Sequence, residues 1–109
     1  MIDQELVNEL PEVLGDGIHR LIASFEVDAK QKLEALREAA SIGQAAEARR
    51  LLHSLRGSSS NLGMLQLAML CTELELTLPG RPLDLPGLEA SVAGAVTAFR
   101  DHLRSTFPL

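Results

Sequence analysis

The residues able to do chemistry in this chain are concentrated in Leu52-His53-Ser54-Leu55-Arg56-Gly57-Ser58-Ser59-Ser60-Asn61-Leu62-Gly63. An imidazole titrates near neutral pH, so part of it is an uncharged nucleophile under cellular conditions. A guanidinium three positions on can draw an anionic group toward that nucleophile. At about 100° per residue, Ala45, Ala48, Leu51, Leu52, Leu55, Ser59 and Leu62 fall on one side of a helix and make an apolar stripe. His53 then points roughly 140° from the centre of the stripe, toward water. Gly57 lies one turn on along the same outer face, with Ala46 and Arg50 nearby and Arg49, Arg56 and Ser60 flanking. Glycine inside a helix costs about 1 kcal/mol relative to alanine. A helix tolerates that where another body must come close to the backbone.

Each of these residues also has a plainer reading. A lone histidine on a polar face is usually a solvated side chain, and a lone helical glycine can be an irregularity. Arg49, Arg50 and Arg56 can form an ordinary hydrated charge face. Ser58, Ser59 and Ser60 can be no more than small packing residues. The fixed spacing argues for function at His53, Arg56 and Gly57; Arg49 and Arg50 stay open between the two readings, and Ser58, Ser59 and Ser60 read first as packing residues.

In order, His53, Leu55, Arg56, Gly57, Ser58, Ser59, Leu62 and Gly63 resemble the signature of histidine-containing phosphotransfer (HPt) domains. That signature is a histidine, an apolar residue two on, a base three on, glycine four on, small residues and a Leu-Gly ending. The surrounding helix pattern extends the resemblance over almost the whole chain. It implies that His53 is the phosphoryl acceptor, through Nε2. Arg56 would draw phosphate oxygens, with Arg49 a possible second cation, and Gly57 would leave room for a phosphorylated aspartate and its loop. Twenty-two positions after His53 stands Glu75, where family members carry a residue that often hydrogen-bonds the histidine Nδ1. A carboxylate there would hold Nδ1–H and leave Nε2 free. Glu75 also reads as a plain surface carboxylate. Partner contacts are expected from Arg49, Arg50, Ser60, Ala68 and Thr72.

The resemblance implies partners as well: response-regulator receiver domains, a hybrid sensor histidine kinase, or both. No glycine-rich phosphate loop and no aspartate cluster for Mg²⁺ is visible. The expected role is therefore a carrier and not an ATP-dependent kinase. No cofactor of its own is expected, and Mg²⁺ would arrive with the receiver domain. Two rival classes are a helical adaptor that binds a partner without phosphate and a small metal- or cofactor-binding bundle. His19 and His102 read as surface residues; neither has a second ligand at i+4, which weighs against a metal site.

A length of 109 residues fits one domain, residues 1–109. An apolar fraction of 46% is enough for a core without staples. The single cysteine, Cys71, excludes an internal disulfide and reads as a core residue. Aromatics make up only 3%, while Leu and Ala dominate, which favours helices over sheets. A net charge of −5 weighs against nucleic acid as the main partner. No apolar run approaches the roughly 20 residues of a membrane helix, and the N-terminus lacks the basic region of a signal peptide. A cytoplasmic monomer is expected.

Positioning His53 requires a bundle around it. Asp3, Glu5, Leu6, Leu10 and Val13 fit a short first helix, limited by Pro11 and ended by Gly15, which would lie as a lid over the bundle. Asp16 would cap a second helix over 17–41, with Ile18, Ile22, Phe25, Ala29, Leu33, Leu36 and Ala40 buried and Leu21 widening the stripe. Ser41-Ile42-Gly43 would close it. The histidine helix should run over about 44–62 and end at Gly63 in the left-handed conformation. A helix over about 64–78 carries two apolar faces: Leu67, Leu70, Cys71, Leu74 and Leu78 on one, and Leu65, Ala68, Met69, Thr72 and Leu76 on the other. The second face would dock the N-terminal helix or meet a partner beside His53. After the loop Pro79–Gly87, Asp84 would cap a last helix that buries Leu88, Val92, Ala95, Val96, Phe99 and Leu103. The expected architecture is all-α: an antiparallel up-down four-helix bundle with a short additional N-terminal helix.

Overall fold

A computed structural model of the chain describes residues 17–106, and these form four helices and no strand. They are α1 (Gly17–Ser41), α2 (Ala45–Asn61), α3 (Leu65–Thr77) and α4 (Leu85–Thr106). The expected N-terminal helix, the Asp16 cap and the terminal Phe107-Pro108-Leu109 lie outside the described residues. Packing runs α1 on α2, α2 on α3, α3 on α4 and α4 back on α1, which closes the four into a ring.

α1 forms because apolar residues recur at steps of three and four over seven turns. Ile18, Ile22, Phe25, Ala29, Leu33, Leu36 and Ala39 are buried. Two expectations fail here. Ala40 is exposed, and Ala39 takes its place. The reason is local: at its last turn α1 meets the returning chain, whose Gln44 N–H donates to the Ala39 carbonyl at 2.9 Å. Leu21 is 36% exposed and borders a surface groove between α1 and α2 instead of widening the core stripe.

The same terminator closes α1 and α2. Gly43 has φ +73° and Gly63 φ +72°, and each follows the end of its helix. Gly43 N–H donates to the Ala40 carbonyl, and Gly63 N–H to the Ser60 carbonyl at 3.0 Å. Gln44 N–H and Met64 N–H reach back to the carbonyls of Ala39 and Ser59, each at 2.9 Å. This is the six-to-one and five-to-two bond pair of a Schellman ending. Both connections are therefore only three residues long, which sets α2 directly against α1 and α3.

α4 begins as expected. Asp84 Oδ1 accepts from Gly87 N–H at 3.1 Å, with Pro86 in the first turn where no amide donor is needed. Leu85, Leu88, Val92, Val96, Phe99 and Leu103 are buried, and Ala95 packs on them half-buried. On α3, Leu67 and Cys71 are buried and Leu70 and Leu74 pack against the core. The second face of α3 is only partly covered: Ala68 is buried, but Met69 is 56% and Leu76 79% exposed.

Candidate functional site

α2 is held along its whole length by Ala48, Leu51, Leu52, Leu55 and Ser59, all buried. The Ser59 hydroxyl, fully buried, donates to the Leu55 carbonyl at 2.7 Å, so this serine fits the core without an orphaned polar atom. With that face fixed, His53 stands outward, its side chain 62% exposed. Gly57 is exposed one turn on, and a Cβ built on it meets nothing within 4 Å. The glycine is therefore not demanded by internal crowding. What it leaves bare is a strip of helix backbone beside the imidazole.

Two side chains converge on the Nδ1 edge of His53. Arg56 Nη2 is 3.2 Å from Nδ1, within hydrogen-bond reach. Glu75 Oε1, from α3, is 3.6 Å from the same nitrogen, an ion-pair distance but longer than a hydrogen bond. The site thus spans two helices: α2 supplies His53, Arg56 and Gly57, and α3 supplies Glu75. Arg56 is folded back over the helix pair, with its Nε buried and without a hydrogen-bond partner. Beneath them lies Cys71. Its thiol is pushed up to about 11, first by burial and then by the Glu75 carboxylate, with Arg56 pulling the other way.

The remaining candidates are scattered more widely. Arg49 is half-buried, and its Nη1 donates to the Leu78 carbonyl at 3.3 Å, so the guanidinium reaches the end of α3. Arg50 is exposed and gripped by Glu47 through Nη2 at 2.5 Å and Nε at 2.9 Å. That bond holds the Glu47 carboxyl below its usual range and raises Arg50. Ser60 is exposed. Thr72 is half-buried, and its hydroxyl donates to the Ala68 carbonyl at 3.2 Å. Ala68 itself is only 8% exposed, so the area it offers a partner is small. It is the smallest apolar residue on that face of α3, and the exposed area there belongs to Met69 and Leu76. His19 is exposed, and His102 is half-buried at the surface.

Sequence reasoning missed one cation. Lys32 of α1 is mostly buried, pairs with Asp28 Oδ2 at 2.5 Å and donates to Ser58 Oγ at 3.3 Å. The i,i+4 Asp28–Lys32 spacing was available in the sequence, but its link to Ser58 depends on how α1 packs on α2.

An exposed imidazole, a guanidinium and a carboxylate on its inner nitrogen, and bare backbone alongside are the parts needed to receive and give up an anionic group. The comparisons with known proteins bear on the family and the fold. No curated protein matches the chain significantly. A similar solved structure is the crystal structure of histidine-containing phosphotransfer protein B (HptB) from Pseudomonas aeruginosa PAO1. It is 30% identical, with 94% of this chain and 95% of that chain covered and a TM-score of 0.83. The family model named Hpt domain matches residues 20–106, nearly all of the described chain, and the protein belongs to that family.

Proposed function

We propose that this Hpt domain is a phosphorelay carrier that takes a phosphoryl group on His53 from the aspartate of one receiver domain and passes it to the aspartate of another. The Nε2 lone pair of His53 forms the N–P bond as the P–O bond to the donor aspartate breaks. The aspartate leaves as a carboxylate and Nδ1 keeps its proton. The transition state is loose, so the protein's contribution is position and charge. Arg56 meets the phosphoryl oxygens, Gly57 admits the partner's loop, and Glu75 takes the Nδ1 proton as a hydrogen bond. Arg49, Arg50, Ser60 and Thr72 border the approach and contact the partner. Mg²⁺ belongs to the receiver domain. The donor or acceptor receiver can be free-standing or part of a hybrid sensor kinase. The carrier acts as a monomer through a modest interface, since it must release each partner. The antiparallel up-down order of the helices, with a short N-terminal helix, belongs to the same proposal; three-residue connections and the closed ring of packing support it.

The observation that carries this reading is an imidazole 62% exposed beside an open glycine on a helix whose other face is fully packed. The test is incubation with a phosphorylated receiver domain. The wild type should take up acid-labile, base-stable label, and His53→Gln should take up none. The rival reading, an adaptor that binds without phosphate, draws on the exposed Met69 and Leu76 of α3. Receiver binding without label would establish it instead, and equal label on His53→Gln would reject His53 as the acceptor.

A further inference from the structure

Nδ1 of His53 lies between two groups of opposite capability. Arg56 Nη2 is at 3.2 Å and Glu75 Oε1 at 3.6 Å. A guanidinium can only donate a hydrogen bond, and an ionised carboxylate can only accept one. Nδ1 of a neutral ring therefore answers one of them at a time. As a lone pair it accepts from Arg56, and the ring proton must sit on Nε2. As N–H it donates to Glu75, and the lone pair is left on Nε2. The distances favour the first arrangement, because Arg56 is within hydrogen-bond reach and Glu75 is just beyond it. The second observation concerns Arg56 itself. Its Nε is buried and unpartnered, although the side chain starts from a water-facing helix and could extend into solvent. An unmet buried donor is unfavourable, so the folded-back pose is held against that loss, and the side-chain contact that can hold it is Nη2 on Nδ1.

We infer that Arg56 is a tautomer latch: in the resting protein it ties Nδ1 as an acceptor, places the ring proton on Nε2 and so withholds the nucleophile. The latch deepens the proposed function and rests on it for its purpose, though not for its detection. An incoming phosphoryl group competes for the guanidinium. When Arg56 turns to the phosphoryl oxygens, Nε2 gives its proton to water, Nδ1 gains one from water, and Nδ1–H donates a hydrogen bond to Glu75. Nε2 now carries the lone pair that forms the N–P bond. The partner's phosphate thus unlocks the nitrogen that receives it, and the free carrier is protected from indiscriminate phosphorylation.

The test is nitrogen NMR of the full chain with ¹⁵N-labelled histidine, at a pH raised until the ¹⁵N shifts no longer change, so that the two neutral tautomers are read. His53→Gln identifies the His53 signals by their loss. The wild type should show His53 predominantly as Nε2–H. Arg56→Met keeps the apolar stem and removes every donor, and should raise the ratio of Nδ1–H to Nε2–H about tenfold, as loss of a hydrogen bond from a charged donor allows. Arg56→Lys, which keeps a donor, should restore much of the wild-type ratio. An Nδ1–H majority in the wild type, or an unchanged ratio in Arg56→Met, overturns the latch. Label uptake measured on the same samples separates the two ideas. Uptake with no change in tautomer ratio removes the latch and leaves the carrier; a changed ratio with no uptake removes the carrier and leaves the latch.

Discussion

Gly57 sets stability against access at a single position. It lies inside α2, where alanine is better than glycine by about 1 kcal/mol, and a Cβ there meets nothing within 4 Å. Gly57→Ala should therefore stabilise the protein by about 1 kcal/mol, read as a higher urea midpoint with an unchanged slope. Phosphoryl uptake from a receiver should fall, by about tenfold or more for a bulkier Gly57→Gln, because a small displacement of the reacting atoms is expensive. A variant that is more stable and equally fast would show that the bare backbone serves no partner. The positions of His53 and Gly57 were legible in the sequence because exposure on a helix follows from arithmetic along one element. The pose of Arg56 was not. The i,i+3 spacing brings Arg56 within reach of His53, but the burial of its Nε depends on packing around α2 that no spacing within the helix contains.

The helix ends make the opposite case with the same substitution. Gly43 and Gly63 hold φ near +72°, a region that costs a residue with a Cβ about 1 kcal/mol or more. Gly63→Ala should lower stability by about that amount in urea unfolding, although it lies only six residues from a glycine whose replacement should raise it. If both alanine variants moved the midpoint in the same direction, the assignment of one glycine to a terminator and the other to an approach path would be wrong. These endings were readable because a Schellman turn is a local device with a local signature. The turn also decides which side of α1 is covered at its last turn, and periodicity misplaced that by one residue, at Ala40 instead of Ala39. α3 was harder for a physical reason: a helix apolar on two sides gives no direction by itself. Its neighbours α2 and α4 choose the Leu67–Cys71 face and leave Met69 and Leu76 in water.

Across the molecule, the site and the core are coupled through Cys71. Its thiol is fully buried on the inner face of α3 and is pushed from an ordinary value of 9.0 up to about 11, chiefly by burial and next by Glu75, with Arg56 opposing. A folded-state value above the unfolded one contributes stability that is intact below pH 9 and is lost as pH rises through about 11. The wild type should accordingly lose up to about 2 kcal/mol across that window through this group, seen as a falling urea midpoint. Cys71→Ala should start lower at neutral pH, by about 1 kcal/mol for the cavity, and then decline less steeply through the same window. Parallel curves for the two proteins would remove Cys71 as the cause. The two charged neighbours give the sharper check. Glu75→Gln removes a negative charge beside the thiol, so thiolate absorbance should appear at lower pH than in the wild type. Arg56→Met removes the opposing positive charge and should delay it. Displacements of opposite sign would place Arg56 and Glu75 against the same core atom, so that the two charged neighbours of His53 also report their charge to the interior.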